Sequence, residues 1–327
     1  MHTIKDLQQL ISQEIQLEIS KLNLTEPKNL YQPIAYSLAM GGKRLRPVMV
    51  LLACNLFSDK VEKAIPAAIA IEVFHNFTLL HDDIMDGAPV RRNSPTVHEK
   101  FNNNIAILSG DAMSIMAYNY LQKSQTSNLA SMVNLFSQTA LEVCEGQQLD
   151  MDYESRSDVS IHQYLNMIRL KTAVLLACSL KIGAMAAGAP EQIADLLYVF
   201  GLDLGIAFQL QDDLLDVFAD QEKFGKKIGG DIVSNKKTFL LLKALELSDQ
   251  DTKKELLDWI DKKEFDPEEK IKAFRTIYNK LNIKEITTKH IEKFYQSAID
   301  LWEEMDLEKQ TKAELLQLAR LIMDRDH

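Results

Sequence analysis

The chain, 327 residues long, is predicted to be all-α. Three observations carry that prediction. Glycine and proline are few, 12 and 8 respectively. Pro47, Pro66 and Pro190 each stand at the head of a long apolar-periodic run, where helix-starting prolines belong. No hairpin dipeptide separates alternating apolar and polar runs. Length alone allows one or two domains. With no repeat, linker or composition break, residues 1–327 are expected to form one domain.

Taken in order, Lys5 to Lys21 reads as an amphipathic helix with Leu7, Leu10, Ile11, Ile15 and Ile19 on one face. A loop, Thr25 to Asn29, leads to a second helix near Leu30–Ala39, which ends at Gly41-Gly42. Lys43-Arg44-Leu45-Arg46 then stands at the start of the next helix, where backbone N–H groups point outward. A charged turn and an anion site both fit this stretch. From Ala64 to Phe74 the chain is apolar almost all round, the mark of a buried helix. That helix ends in Asp82, Asp83 and Asp86. Asp82 and Asp86 lie one turn apart on one face, and His75, seven residues before Asp82, falls on nearly the same line. Carboxylates at the end of a buried helix need cations or hydrogen-bond donors.

The following loop, Gly87 to His98, carries Arg91-Arg92 between two prolines; arginine offers bidentate geometry and a permanent charge to phosphate oxygens. Ser109-Gly110-Asp111 is read as a break, with Asp111 capping a helix Ala112–Gln122. Leu129 to Asp150 forms another helix, whose acidic end could face a cavity but is more readily read as solvated. Lys171 enters a strongly apolar run beginning at Ala173, and a lysine there needs an anion or a route to solvent. The apolar block Ile193–Leu210 ends in a second D-D-x-x-D, Asp212, Asp213 and Asp216. Gly201 and Gly205 lie close to the line of Asp212 and fit either tight helix packing or room for an elongated ligand. Basic pairs follow, Lys226-Lys227 and Lys236-Lys237. From Leu241 onward the chain is charged amphipathic helix.

The net charge of −10 argues against nucleic acid as a partner. Against that background four basic clusters look like a site that gathers anions. Cys54, Cys144 and Cys178 have no metal spacing and read as buried, reduced thiols. The N-terminus is no signal peptide, and no apolar run approaches the length of a membrane span, so no integral membrane segment and a cytoplasmic location are expected. One D-D-x-x-D is an ordinary solvated helix end. Two, each closing an apolar helix, suit Mg²⁺ held by carboxylates and substrate phosphates. They suggest two walls of a cavity with a polyphosphate between.

Gly-Gly-Lys-Arg-Leu-Arg-Pro, the first aspartate motif with its Arg-Arg loop, Ser-Gly-Asp, Gly-Gln-x-x-Asp, Lys-Thr, Phe-Gln-x-x-Asp-Asp-x-x-Asp and Lys-Ile-Gly-x-Asp follow one another from Gly41 to about Thr238. In that order they resemble the trans-polyprenyl diphosphate synthase family, which includes farnesyl and geranylgeranyl diphosphate synthases. The resemblance implies an all-α homodimer, each subunit a helical bundle around a deep central cavity. It implies that Asp82, Asp86 and Asp212 ligate Mg²⁺, supported by Asp83, Asp216 and Asp231. Arg91, Lys171, Lys227 and Lys236 would hold an allylic diphosphate (dimethylallyl, geranyl or farnesyl), with Lys226 competing for the contact given to Lys227. Lys43, Arg46, His75 and Arg92 would bind isopentenyl diphosphate. Thr172 and Gln209 would direct oxygen dipoles at the allylic cation. The implied reaction is head-to-tail condensation to short-chain C15–C20 products. Phe77 is then the first bulky floor for the growing tail, beside the small Thr78 and above Phe74. A longer-chain synthase, a terpene cyclase and an all-α phosphohydrolase using His81-Asp82 with His75 are the alternatives.

Overall fold

The computed structural model describes residues 2–219, 228–305, 307 and 309–323. Helices α1 (Ile4–Leu24), α2 (Lys28–Ala39), α3 (Leu45–Asn55) and α4 (Ile65–Met85) are followed by strands β1 (Val90–Arg91) and β2 (Ser94–Pro95). Then come α5 (Val97–Lys100), α6 (Asn103–Leu121), α7 (Leu129–Glu154), α8 (Ile161–Ile168), α9 (Val174–Ala187) and α10 (Glu191–Phe218). A π-helical turn, Arg169–Ala173, joins α8 to α9. The remainder is α11 (Gly230–Val233), α12 (Phe239–Leu247), α13 (Gln250–Asp261), α14 (Pro267–Lys280), α15 (Ile283–Glu304) and α16 (Lys309–Met323). The all-α expectation holds.

The chain groups into two compact units. Unit 1 comprises Met1–Ser137, Cys178–Tyr198 and Leu307–Leu316. Thr3 starts α1 with a capping box to Asp6, and Leu7, Ile11 and Ile15 bury the face that the periodicity indicated. The run from Pro47 to Asn55 is wholly buried, which explains why α3 shows no polar face. Pro66 starts α4, which packs on α3 and most extensively on α6. Unit 2 comprises Gln138–Ala177, Val199–Asp306 and Gln317–His327. Its core gathers Tyr164, Ile168, Ala207, Leu210, Phe239 and Phe274, among others, with α12 packed on α8 and α15.

Four expectations are corrected. Asp111 caps nothing: Asn102 caps α6, accepting from the Ile105 N–H at 2.9 Å, and Ser109-Gly110-Asp111 lies inside the helix. Gly110 is there for contact, since a Cβ would come within 2.5 Å of His81 Cδ2. A hairpin does exist, a two-residue turn at Arg92-Asn93 with φ of 52° and 60°. Both central residues are left-handed, as a type I′ turn requires, and the dipeptide escaped notice because arginine replaces the usual Asn or Gly. Cys144 is exposed, on the outer side of α7. Of the two readings open for Gly205, close packing is the one its surroundings support, since a Cβ there would lie 2.6 Å from Ala173 Cα. Finally, helices Val61–Met85, Ile161–Ala187 and Glu191–Phe218 are each long and apolar enough to cross a membrane by length and composition. Buried shares of 61, 78 and 50 % in their most apolar windows account for that composition by interior packing.

Candidate active site

In unit 1 the site is built on α4 and the two segments at its flank. Arg44, left-handed at φ 49°, caps α3 and turns its guanidinium inward to Glu72 and the Leu38 carbonyl. Glu72 is 2 % exposed and also accepts from Asn76 Nδ2 at 2.8 Å. This buried pair fixes the Gly41–Arg46 segment against α4. Arg46 follows, with Nη1 3.2 Å from His75 Nε2. Desolvation, and then the charges of Arg46, Arg92, Arg91 and Arg44, hold the His75 imidazole well below its ordinary pKa. A neutral His75 therefore accepts from Arg46. Arg92 reaches back from the hairpin turn to donate to the Gly41 carbonyl, and its guanidinium lies where a side chain on Gly42 would stand. Lys43 is exposed. Four of the sequence-predicted residues, Lys43, Arg46, His75 and Arg92, thus belong to one basic patch.

Two to three turns further along α4 the charge reverses. Arg91 grips Asp83 with Nε 2.7 and 2.9 Å from its two oxygens, and Arg91 Nη2 stands 3.4 Å from Asp82 Oδ2. Burial raises the Asp83 carboxyl above its ordinary pKa, against the pull of Arg91. Asp86 ends the helix and is exposed. Arg91 was expected to hold a diphosphate; in this structure it holds the motif itself. Asp83 is consequently a buried strut, whereas Asp82 and Asp86 stand more open. His81 does not join His75: its Nε2 lies 3.2 Å from the Ile107 carbonyl oxygen and its ring packs on Phe77 at 4.8 Å. That placement removes the phosphohydrolase reading. Phe77 in turn packs on the buried Phe74 (5.4 Å between centroids), and Phe74 on Phe136 (5.2 Å). The three form successive aromatic layers.

In unit 2 the second motif is carried by α10. Thr172, in the π turn, donates to Gln209 Oε1 at 3.0 Å, and Gln209 Nε2 donates to Asp213 Oδ1 at 2.9 Å. Asp213 Oδ2 also accepts from the Tyr164 hydroxyl. Lys171 Nζ lies 2.6 Å from Asp150 Oδ2, so the acidic end of α7, read as solvated, is the anion that this lysine needed. Asp216 Oδ2 accepts from the Asp231 N–H at 3.1 Å. Burial, then Asp216, push the Asp231 carboxyl up to about 7, with Lys236 opposing. Burial, then Asp231, likewise raise Asp213 well above its ordinary value. Lys227, and Lys226 with it, lie outside the described residues.

Mutually raised carboxylates of this kind are relieved by a cation. The donors are all hard oxygens, which fits Mg²⁺. Among the described residues no three His, Cys, Asp or Glu side chains form a ready-made metal cage. Mg²⁺ does not need one, because it keeps waters and takes one or two carboxylates plus substrate phosphates. The residues present therefore fit the ion. Sequence reasoning missed Glu72 and Tyr164. Glu72 could have been found, as the one acid inside the apolar face of α4.

The polyprenyl synthetase family model matches residues 27–278. The chain belongs to that family. It is 41 % identical over 227 residues, 69 % of this chain and 70 % of the other, to geranylgeranyl diphosphate synthase of Methanosarcina mazei. It is 40 % identical over 243 residues, 68 % and 71 % of the two chains, to geranylfarnesyl diphosphate synthase of Natronomonas pharaonis. A crystal structure of a geranylgeranyl pyrophosphate synthase superposes with a TM-score of 0.94 at 44 % identity, covering 100 % of each chain. The protein is accordingly a prenyltransferase of the all-α isoprenoid synthase type.

Proposed function

We propose that this polyprenyl synthetase condenses isopentenyl diphosphate head-to-tail with dimethylallyl, geranyl or farnesyl diphosphate, giving C15–C20 products and diphosphate. One observation carries the reading. Helix α4 presents a basic patch around neutral His75 and Arg46, and two to three turns on, an acidic motif braced by Arg91. A bare diphosphate suits the first and a metal-bound diphosphate the second. Lys43, Arg46, His75 and Arg92 take isopentenyl diphosphate. The aspartates Asp82, Asp86, Asp212 and Asp216 hold Mg²⁺ for the allylic substrate, braced by Asp83, with Arg91, Lys171, Lys227 and Lys236 on its phosphate oxygens.

Mg²⁺, when bound, supplies stabilisation of the negative charge that grows on the departing diphosphate. The protein's own part is positional. Lys171 and Arg91 stand ready as permanent or near-permanent charges, each held by a carboxylate until substrate arrives. Thr172 and Gln209 offer oxygen dipoles to the allylic cation. Isopentenyl diphosphate, anchored near His75, attacks through its double bond, and the proton lost passes to the released diphosphate. Phe77 limits the tail, with Phe74 and Phe136 layered behind it.

The chain acts as one catalytic domain and as a homodimer in the cytoplasm. A partner copy would cover Ile107, Leu108 and Ile115, which leave an exposed apolar strip on α6. Incubation with Mg²⁺, isopentenyl and dimethylallyl diphosphates, followed by mass analysis, tests the reaction. Prenyl diphosphates of three or four isoprene units are expected. Phosphate release without chain growth would refute it.

A further inference from the structure

Three hydrogen bonds in unit 2 run in series away from the reaction chemistry, and their direction is the informative part. Thr172 Oγ1 donates to Gln209 Oε1 (3.0 Å), Gln209 Nε2 donates to Asp213 Oδ1 (2.9 Å), and Tyr164 donates to Asp213 Oδ2. Tyr164 and Asp213 are 1 % and 5 % exposed. A primary amide has two ends of similar shape and opposite polarity. Presented one way, Gln209 shows an oxygen to a carbocation; presented the other, it shows an NH₂ and repels it. Both oxygens of Asp213 accept, Oδ1 from the NH₂ end of Gln209 and Oδ2 from Tyr164, so Oε1 faces Thr172. The Thr172 hydroxyl then has only an acceptor beside it and must donate. Its own lone pairs are left outside the network.

Asp213 itself needs an anchor, because a carboxylate with one partner can rotate. Tyr164 supplies it from α8, eight residues before Thr172 and ahead of the π turn that carries Thr172. The phenol sits in the core, and burial together with Asp213 raises its pKa, so it carries a proton to donate. Tyr164 from α8 and Thr172 from the π turn reach the same Gln209–Asp213 turn of α10.

We propose that Tyr164 is a positioning residue which, through Asp213, orients the Gln209 amide and the Thr172 hydroxyl so that oxygen lone pairs face the allylic carbon. The inference rests on the prenyl-transfer reading above. The step it serves is breaking of the allylic C1–O bond, whose electron pair leaves with the diphosphate. Attack by the double bond of isopentenyl diphosphate then forms the new C–C bond, and the proton goes to diphosphate.

The test is Tyr164→Phe, alone and combined with Gln209→Leu, assayed with geranyl and isopentenyl diphosphates and Mg²⁺. Tyr164→Phe is expected to lower kcat about tenfold or more, as loss of an orienting partner does. KM for both diphosphates should stay within about twofold, since no phosphate contact is touched. In the Gln209→Leu background the same change should add almost nothing, because there is no amide left to orient. Full additivity of the two changes, or a kcat for folded Tyr164→Phe equal to wild type, would overturn the assignment. Should Tyr164→Phe fail to fold, Asp213→Asn serves instead: it keeps the shape but offers a donor and an acceptor, so the amide loses its preferred direction and the same kcat loss is expected. Unchanged kcat in that variant also overturns the assignment. Wild-type protein that makes no prenyl product would instead refute the prenyl-transfer reading itself.

Discussion

Gly146→Ala should separate the chemistry of the site from its mere presence. Gly146 lies on α7 against the backbone of the π turn, where an added Cβ would stand 2.7 Å from both Lys171 Cα and Leu170 C, and closer still to Lys171 N. Ordinary contact begins at 3.4 Å. Backbone atoms cannot rotate aside, so the two helices must part by roughly 1 Å to regain a normal van der Waals separation. Overpacking of this kind costs about 1–3 kcal/mol, which lowers the melting temperature by several degrees. The separation acts on bonds that matter. Asp150, one turn beyond Gly146, holds Lys171 at 2.6 Å, and Thr172 next to it meets Gln209 at 3.0 Å. A displacement of about 1 Å in catalytic groups costs on the order of 10²-fold in rate. The assay is kcat with geranyl and isopentenyl diphosphates, measured well below the melting point found by circular dichroism. Wild-type kcat in the folded variant would refute the claim that this contact sets the site.

Four further outcomes are expected. Asp82→Ala and Asp212→Ala should each cut turnover by orders of magnitude at saturating Mg²⁺, and near-normal turnover in either would count against the metal assignment. Arg92→Ala should raise KM for isopentenyl diphosphate above all, and Arg91→Ala that for the allylic substrate; equal effects on both would mean a shared anion funnel. Arg91→Ala should also destabilise the fold, because it leaves buried Asp83 without its bidentate partner. Phe77→Ala should lengthen the product by at least one isoprene unit and Thr78→Phe should shorten it, read by mass; an unchanged pattern would move the floor to Phe74 or α6. The fourth concerns pH. His75 has a folded pKa well below its ordinary value of 6.5, so its contribution to stability is present above about pH 6.5 and is lost as pH falls below that. The stability advantage of wild type over His75→Gln should shrink by up to about 1.4 kcal/mol per pH unit between pH 6 and 5. A gap in denaturation free energy that does not vary with pH would refute a neutral His75.

Residues that advertise themselves by chemistry were legible in the sequence. Carboxylates at the end of an apolar helix have few bland explanations when they occur twice, so Asp82, Asp86, Asp212 and Asp216 could be singled out before any coordinates. Long helices were legible for the same reason, since α1 and α4 bury the faces that their periodicity marks. What escaped depends on contacts between segments far apart in the chain. Asp150 reads as a solvated helix end until Lys171 is seen beside it, 21 positions later. Gly110 reads as a break until His81 is found against it. Arg44 and Arg46 are equal on paper, yet one is spent on Glu72 and the other faces His75. The hairpin at Arg92-Asn93 violated residue preference, which is the commoner fate of a local rule at a functional loop.

The π turn at Arg169–Ala173 behaves like a frameshift written in space. One surplus residue in a helix turns everything after it by about 100°, so the segments before and after no longer share a face. Tyr164 and Thr172 can therefore be selected independently of Val174 and the residues beyond it. A lineage can re-aim one half of this helix without disturbing the packing of the other. It also means that a single-codon deletion here would be far more disruptive than most substitutions, since it would rotate Thr172 off Gln209 while leaving every side chain intact.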